Sequence, residues 1–330
     1  MEHMILTQNC LDFGCCLKPL LVPIDKINGP SLTNPSVYVD NQEILVNLRN
    51  LNYILYHSEK SKFEHAWGPL CYLHKESDQR LVTKNILCNL DKNLNITSYD
   101  TIDTFFLDET PMWEFVGLED GRLVKWENKF YLSGVRRDTT KNGVGRMELS
   151  EIKNKKNKLI EVSRVRIPAP EPDNSYCEKN WMPVLNKPYV YIKWTNPTEV
   201  VEVDPINVTC KTIKLGVYNP SLECGDLRGG SQVVFINGYY LAIVHEVNLF
   251  QSEACKKNSI YRHRFVVWNE NFELIEISNK FSFMGANIEF CCGLAEINES
   301  ILITFGFQDN AAFILSIPKK ILGNWIKIYA

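Results

Sequence analysis

Side chains suited to acid–base and anion chemistry recur along this chain at matched distances from short polar turns. Roughly seven to nine positions before the turns stand Asn34-Pro35, Glu119-Asp120 with Arg122, Lys179-Asn180, Arg228-Gly229-Gly230 and Glu289. At a similar distance after them stand Arg49, Arg136-Arg137, Lys193-Trp194, His245-Glu246 and Asp309. Taken singly, an exposed Arg or Glu is ordinary solvent-facing polarity; repetition at matched offsets argues for a shared location. A carboxylic acid whose pKa is raised by burial or by other carboxylates can protonate a leaving oxygen, as glycoside cleavage requires. Arg, Lys and His can hold an anion, and Arg suits the paired contacts that phosphate oxygens accept. Trp181, Trp194 and Tyr239 offer flat apolar faces to a sugar ring. Acid, anion site and aromatic platform together point to glycosyl transfer to or from phosphate.

These residues need elements that bring them together. Long amphipathic helical stripes are scarce, whereas short runs rich in Val, Ile, Tyr, Phe and Trp, broken by Asn, Gly, Pro or Asp, recur throughout. Five runs read as hairpins: 37–49 turning at Asp40-Asn41-Gln42, 123–136 at Glu127-Asn128, 184–194 at Asn186-Lys187, 233–245 at Asn237-Gly238 and 294–305 at Asn298-Glu299. Residues equally far from a hairpin turn lie beside one another at its open end. Each hairpin therefore delivers its polar groups to one end.

The turn asparagines lie 87, 58, 51 and 61 residues apart. Intervals of about 40–50 residues or more suit a propeller blade with loops. The expected fold is all-β, a five-bladed β-propeller in a single domain over residues 31–330, with residues 1–30 packing on or closing it. An ordinary β-sandwich is the alternative. If the hairpins are inner strands, their open ends converge on one funnel. The Lys- and Asn-rich stretches 153–158 and 253–258 read as solvated loops.

Composition bounds the partners. The chain has 330 residues, 45% hydrophobic and 23% charged, enough to bury a sizeable core. Thirty-six Lys and Arg against 39 Asp and Glu leave a net charge of −3, too balanced for a nucleic-acid or membrane-surface footprint. Met1-Glu2-His3-Met4 is no basic leader, and the apolar stretch at 17–22 is broken by Lys18 and Pro19, so neither signal peptide nor membrane span is expected. Eleven cysteines occur, two pairs of them adjacent, with no C-x-x-C. That spacing fits neither a zinc site nor a redox couple, and reduced cysteines in the cytoplasm are expected. No metal or cofactor is implied.

The ordered motifs resemble those of glycoside hydrolase family 130, the five-bladed propeller mannoside phosphorylases, and of the related propeller mannosyltransferases. Asn34-Pro35 with Arg49 is similar to an early Asn-Pro and strand-end Arg. Glu119-Asp120-Gly121-Arg122 is similar to a Glu-Asp-Pro-Arg motif, with Gly121 in place of the proline. Lys179 and Pro183 match a segment supplying a phosphate-binding Lys, and the stretch from Gly229-Gly230 to His245 matches a strand ending in a phosphate-binding His. Glu289, Gly293, Gly306 and Asp309 resemble the closing pattern.

The resemblance implies an inverting enzyme, mannosyl in preference, with Asp120 as acid or base. Arg136, Arg137, Lys179 and His245 would hold phosphate or nucleotide. Asn34, Arg49, Glu119, Arg122, Asn180, Trp181, Arg228, Glu289 and Asp309 would bind or frame the sugar. The partners would be a sugar nucleotide or sugar phosphate and a glycan acceptor. Arg228, Ser231-Gln232 and His263-Arg264 look more like a subgroup found beside glycosyltransferase genes, which leaves acceptor and reaction direction open. The alternatives are a glycoside hydrolase, with Glu289, Glu246 or Asp309 as the second carboxylate roughly 6.5–9.5 Å from the acid, and a sugar-binding propeller without catalysis.

Overall fold

Asn41 and Gln42, Glu127 and Asn128, and Asn237 and Gly238 all adopt positive φ, between 48° and 85°. Paired left-handed residues make the tight turn whose twist suits a hairpin. Here they join Ser31–Asp40 to Glu43–Leu51, Glu119–Trp126 to Lys129–Arg136, and Val234–Ile236 to Tyr239–Gln251. Asn298, with φ 48°, turns Glu289–Ile297 into Ser300–Phe307. The expected turn at Asn186-Lys187 is looser. Met182–Pro183 pairs with Val190–Thr195, and the positive φ falls on Tyr189. The computed structural model that shows this describes residues 4–330 apart from 11–12, 28, 56–60, 64–69, 75–79, 157, 173–174, 221, 223 and 254.

The hairpins extend into antiparallel sheets in chain order. The first holds Ser31–Asp40, Glu43–Leu51, Leu81–Leu90 and Ile96–Thr101, with Phe115–Val116 added in parallel. The second holds Glu119–Trp126, Lys129–Arg136, Arg146–Lys155 and Lys158–Arg166. The third runs from Met182–Pro183 through Val190–Thr195 and Thr198–Asp204 to Thr209–Leu215. The fourth is built on Tyr239–Gln251 and Lys257–Trp268, and the fifth on Glu289–Ile297, Ser300–Phe307 and Ala311–Pro318. Cys16–Pro19, from the other end of the chain, is the outer strand of the fifth sheet. A small three-stranded sheet, Tyr53–Leu55, Ser61–Phe63 and Leu70–His74, was not legible in the hairpin pattern.

Apolar clusters fill the spaces between successive sheets. Val124, Met147, Tyr191 and Val201 lie between the second and third, and Ile192, Val233, Ala242 and Val266 between the third and fourth. Leu241, Phe265, Leu294 and Phe305 join the fourth to the fifth, where Leu6 and Cys10 of the short helix Leu6–Cys10 also pack. Val37, Val46, Ala295 and Ile314 join the fifth back to the first. The arrangement is a single all-β domain of propeller type.

One buried side chain marks its axis. Gln232 Nε2 donates to Ser36 Oγ and to the carbonyls of Val37 and Leu123, each at 2.9 Å, while its Oε1 accepts from Leu294 N–H at 3.0 Å. The amide has two N–H donors for these three acceptors, so one hydrogen is shared between two of them, and the bonds tie inner strands of the first, second and fifth sheets to the segment leading into the fourth. The third is tied by the neighbouring backbone, Val233 N–H donating to Pro183 O at 2.9 Å.

The two Lys- and Asn-rich stretches are not simply loops. Lys153–Lys155 finishes one strand of the second sheet, and Lys257 and Asn258 begin a strand of the fourth.

Candidate functional site

Local backbone geometry turns polar side chains out of the inner strands. Asn34, Asp120, Asn180 and Asp309 have φ of 43°, 51°, 62° and 50°. Ladder registers slip between Thr33 and Ser36 and between Glu119 and Arg122, so Asn34 and Asp120 sit on bulges. Bulges re-aim side chains, and left-handed non-glycine residues concentrate where function requires them. Close packing supports the geometry: a Cβ at Gly306 would collide with Thr33 and Asn34.

Arg49 bridges two carboxylates. Its Nη1 donates to Asp120 Oδ1 at 2.8 Å and its Nη2 to Glu119 Oε2 at 3.1 Å, while Thr83 and Tyr53 hydroxyls accept at 3.2 Å. Asn34 Nδ2 also donates to Asp120 Oδ1, at 2.8 Å. Burial pushes Asp120 up, but Arg49, Arg122, the Asn34 bond and Lys179 outweigh it and hold the carboxyl below its usual range. Asp309 faces the same charges with the opposite outcome. Burial, helped by the negative charge of Asp120, lifts it to about 6 against the pull of Arg49. Two carboxyls with divergent proton affinities share one site, an arrangement suited to acid–base work. Glu119 Oε1 is buried without a partner among the described residues.

Opposite the carboxylates lie cations. Arg228 pairs across the ladder with His245, and Lys179 and Arg228 both repel the charge on Lys257, whose pKa burial and that repulsion together depress. Among the described residues no carboxylate forms an ion pair with Lys179, Arg228 or Lys257. His245 is buried, stacked on Tyr261 at 5.5 Å and edge-on to Phe290 at 4.9 Å. Burial, then His263, Arg228, Lys179 and Arg122, drive its pKa well below 6.5, so the ring is neutral near pH 7. A neutral imidazole serves an anion only as a hydrogen-bond donor, and its Nδ1 has no partner among the described residues.

The remaining expected residues divide. Asn180 Oδ1 accepts from Arg122 Nη2 at 3.4 Å, while Arg122 also donates to Gly230 O at 2.9 Å and to the Asp120 carbonyl at 2.8 Å. Arg122 is a fully buried strut beneath the site. Four residues stand elsewhere. Trp181, only 1% exposed, packs in the core between the second and third sheets and donates to Glu178 at 3.0 Å; it follows Asn180, whose φ of 62° lies just before the strand Met182–Pro183. Glu289 spends both carboxylate oxygens on the N–H groups of Phe283, Met284 and Ala286, at 2.5–3.0 Å. Arg136 turns away to Glu148, at 2.7 Å, and Asp138, at 3.5 Å. Arg137 lies against Phe115 and Tyr176 and donates to Gly143 O. Tyr261 and Lys257 are the residues the hairpin reading missed. Both lie on the third strand of the fourth sheet, which with its partner Tyr239–Gln251 is the longest pair and runs well past His245.

A cavity of about 920 Å³ lies between the first and second sheets and does not contain this group. Among the described residues there is no cluster of three or more metal-ligating side chains, and no helix long and apolar enough to cross a membrane.

No family model and no curated protein matches the sequence. Solved structures do share its fold. The chain is similar to a β-1,2-mannobiose phosphorylase from Listeria innocua, at 12% identity and TM-score 0.54 over 93% of this chain and 95% of that one. It is similar to a mannose phosphorylase from Leishmania mexicana in complex with phosphate ion, at 11% identity and TM-score 0.52 over 98% and 94%. A glycosyl hydrolase from Bacteroides ovatus matches at 11% identity and TM-score 0.55 over 91% of each chain. At these identities the likeness establishes the propeller fold of the mannoside phosphorylases and their hydrolase relatives.

Proposed function

We propose that this protein is an inverting glycosyl-transferring enzyme, mannosyl in preference, in which a sugar phosphate or sugar nucleotide carries the glycosyl group to a glycan acceptor. The observation that carries the reading is the cluster of Lys179, Arg228 and Lys257, cations without carboxylate partners among the described residues, set beside Asp120, Glu119 and Asp309. Unpaired cations at a half-buried site are costly unless an anion joins them. A phosphate there has its charge neutralised without a metal.

The proton balance follows from the carboxyls. In synthesis an acceptor hydroxyl oxygen attacks the anomeric carbon as the bond to phosphate oxygen breaks. The hydroxyl proton passes to Asp120, which Arg49 and Asn34 keep ionised and fixed. In phosphorolysis the same groups run in reverse: phosphate attacks, and the protonated acid supplies the departing glycosidic oxygen. Arg49, Asn34, Asn180, Glu119 and Asp309 frame the sugar, the free oxygen of Glu119 accepting from a hydroxyl. His245 donates to the phosphate as a neutral ring.

Each of the five sheets of four or more strands counts as one blade, and residues 1–30 close the ring through Cys16–Pro19. Ten free cysteines among the described residues support a cytoplasmic setting. The likeness to a glycosyl hydrolase favours hydrolysis as the second reading, with Asp309 or Glu119 activating water.

The test is turnover. Mannose 1-phosphate or a guanosine diphosphate mannose is incubated with manno-oligosaccharide acceptors, and release of phosphate or nucleotide is followed. Acceptor-dependent release is expected. Silence across the panel in both directions overturns the reading, and glycan cleavage in phosphate-free buffer replaces it with hydrolysis.

A further inference from the structure

The space between the first and second sheets is filled differently from the others. Its buried apolar cluster is Leu45, Ile102, Leu118, Leu123, Leu132 and Ile152, with Tyr38, Leu87, Phe130 and Leu159 packed against it, and beside it lies the 920 Å³ cavity. That volume falls within the range of small-molecule sites, on the order of 300–1,000 Å³.

Its wall carries polar groups in a specific state. Asp138 is 7% exposed; its Oδ2 accepts from Gly117 N–H at 2.9 Å, and its Oδ1 has no partner among the described residues. The Thr139 hydroxyl beside it also lacks one. A buried carboxylate oxygen left unpaired costs free energy that a ligand hydroxyl can recover. Six carboxylates line this wall, Asp103, Asp108, Glu109, Asp138, Glu148 and Glu161, against Lys84, Arg136, Arg164 and Arg166, and the three arginines are already held in linked ion pairs with Asp138, Glu148 and Glu161. Such a wall disfavours an anion and leaves its arginines no free charge to offer one. It suits a neutral ligand rich in hydroxyls.

The rim supplies the complementary surface. Phe105 and Leu107 of the 3-10 turn Phe105–Leu107 line the cavity, and Phe106 stands just outside it; Phe105 and Phe106 are 74% and 81% exposed, their rings edge to face at 5.6 Å. Two large aromatic rings held in water beside a polar cleft form a platform for the apolar face of a sugar ring. Thr83 connects this cleft to the site described above, since it lines the cavity and its hydroxyl accepts from Arg49 Nε at 3.2 Å.

We infer that this cleft is a second carbohydrate site, binding a neutral oligosaccharide through the Phe105 and Phe106 platform and the free acceptors of Asp138 and Thr139. The inference rests on the carbohydrate reading of the propeller, while the site is separate from the carboxylate and cation group. It would hold an extended glycan at a distance from the reacting end.

The experiment is calorimetric titration of the full chain with neutral tetraoses of mannose, glucose and galactose, and separately with mannose 1-phosphate. At least one tetraose should bind. The exposed pair Phe105→Ala with Phe106→Ala should weaken it about tenfold, equivalent to about 1.4 kcal/mol, and Asp138→Asn should weaken it as well. Mannose 1-phosphate affinity should stay unchanged in the double variant. Asp120→Asn should leave tetraose binding intact. Unchanged tetraose affinity in both the double variant and Asp138→Asn overturns the cleft site, as does failure of every tetraose to bind. Tetraose binding that depends on the phenylalanines, in a protein without transferase or phosphorylase turnover, upholds the cleft and overturns the transfer reading alone.

Discussion

Arg49 Nη1 lies 2.8 Å from Asp120 Oδ1, joining the second strand of the first sheet to the first strand of the second. Both side chains are largely buried, so the pair is worth more than a surface contact and its loss would leave a charge without compensation. The contact fixes the Asp120 carboxylate in place and in its ionised form. Asp120→Asn keeps the shape and the Asn34 contact but removes the proposed proton acceptor. Turnover should fall roughly 10²–10⁴-fold, the usual worth of a positioned acid or base. Mannose 1-phosphate affinity, measured by titration, should change only slightly. Normal turnover in Asp120→Asn would mean that another carboxyl, with Asp309 foremost, moves the proton.

Trp181 separates framework from site. Its indole is buried against Tyr191 at 5.9 Å and bonded to Glu178. Trp181→Ala should destabilise the fold by about 3–5 kcal/mol, the range for large aromatic truncations. Trp181→Phe, which keeps most of the packing, should alter KM for sugar substrates little while lowering the urea midpoint. A large rise in KM with unchanged stability would return the residue to the sugar-binding surface.

The contrast between Asp120 and Trp181 shows what could be read from the chain. Turn chemistry at Asn41-Gln42, Glu127-Asn128 and Asn237-Gly238 has a local cause, positive φ, and is legible from residue type alone. Hairpin symmetry then places Asn34, Arg49 and Asp120 near one another. It does not say which way each side chain points. A bulge shifts the facing of every residue beyond it, and Arg136 and Glu289 keep their ladder positions while their charged ends go elsewhere. Tyr261 and Lys257 have no signal in the hairpin pattern, which spans only two strands of each sheet, because they lie on the third strand of the fourth. The cleft beside Asp138 had no sequence signal, since it is a gap left where two sheets diverge.

His263 gives the protein a distinct acid response. Its ring is fully buried beside Phe281 and Phe283, accepts from Cys291 N–H at 3.4 Å through Nε2, and has an unpartnered Nδ1 among the described residues. Burial, with Arg262 nearby, lowers its pKa from 6.5 to about 3. Between those values the unfolded chain binds a proton that the folded protein refuses, so stability falls as pH drops from 6.5 toward 3. At pH 4 the loss is on the order of 3 kcal/mol, at roughly 1.4 kcal/mol per unit. Asp309 works the other way. Its folded pKa of about 6 exceeds the unfolded 3.8, so it adds stability as pH falls through that interval. Comparing wild type with His263→Gln cancels the Asp309 contribution, which both proteins share. At pH 7 the variant should be less stable, having disturbed a packed ring and its bond to Cys291. At pH 4 that deficit in urea unfolding should shrink or reverse, because wild type alone carries the unprotonated buried imidazole. An equal deficit at both pH values would show that His263 does not resist protonation in the fold.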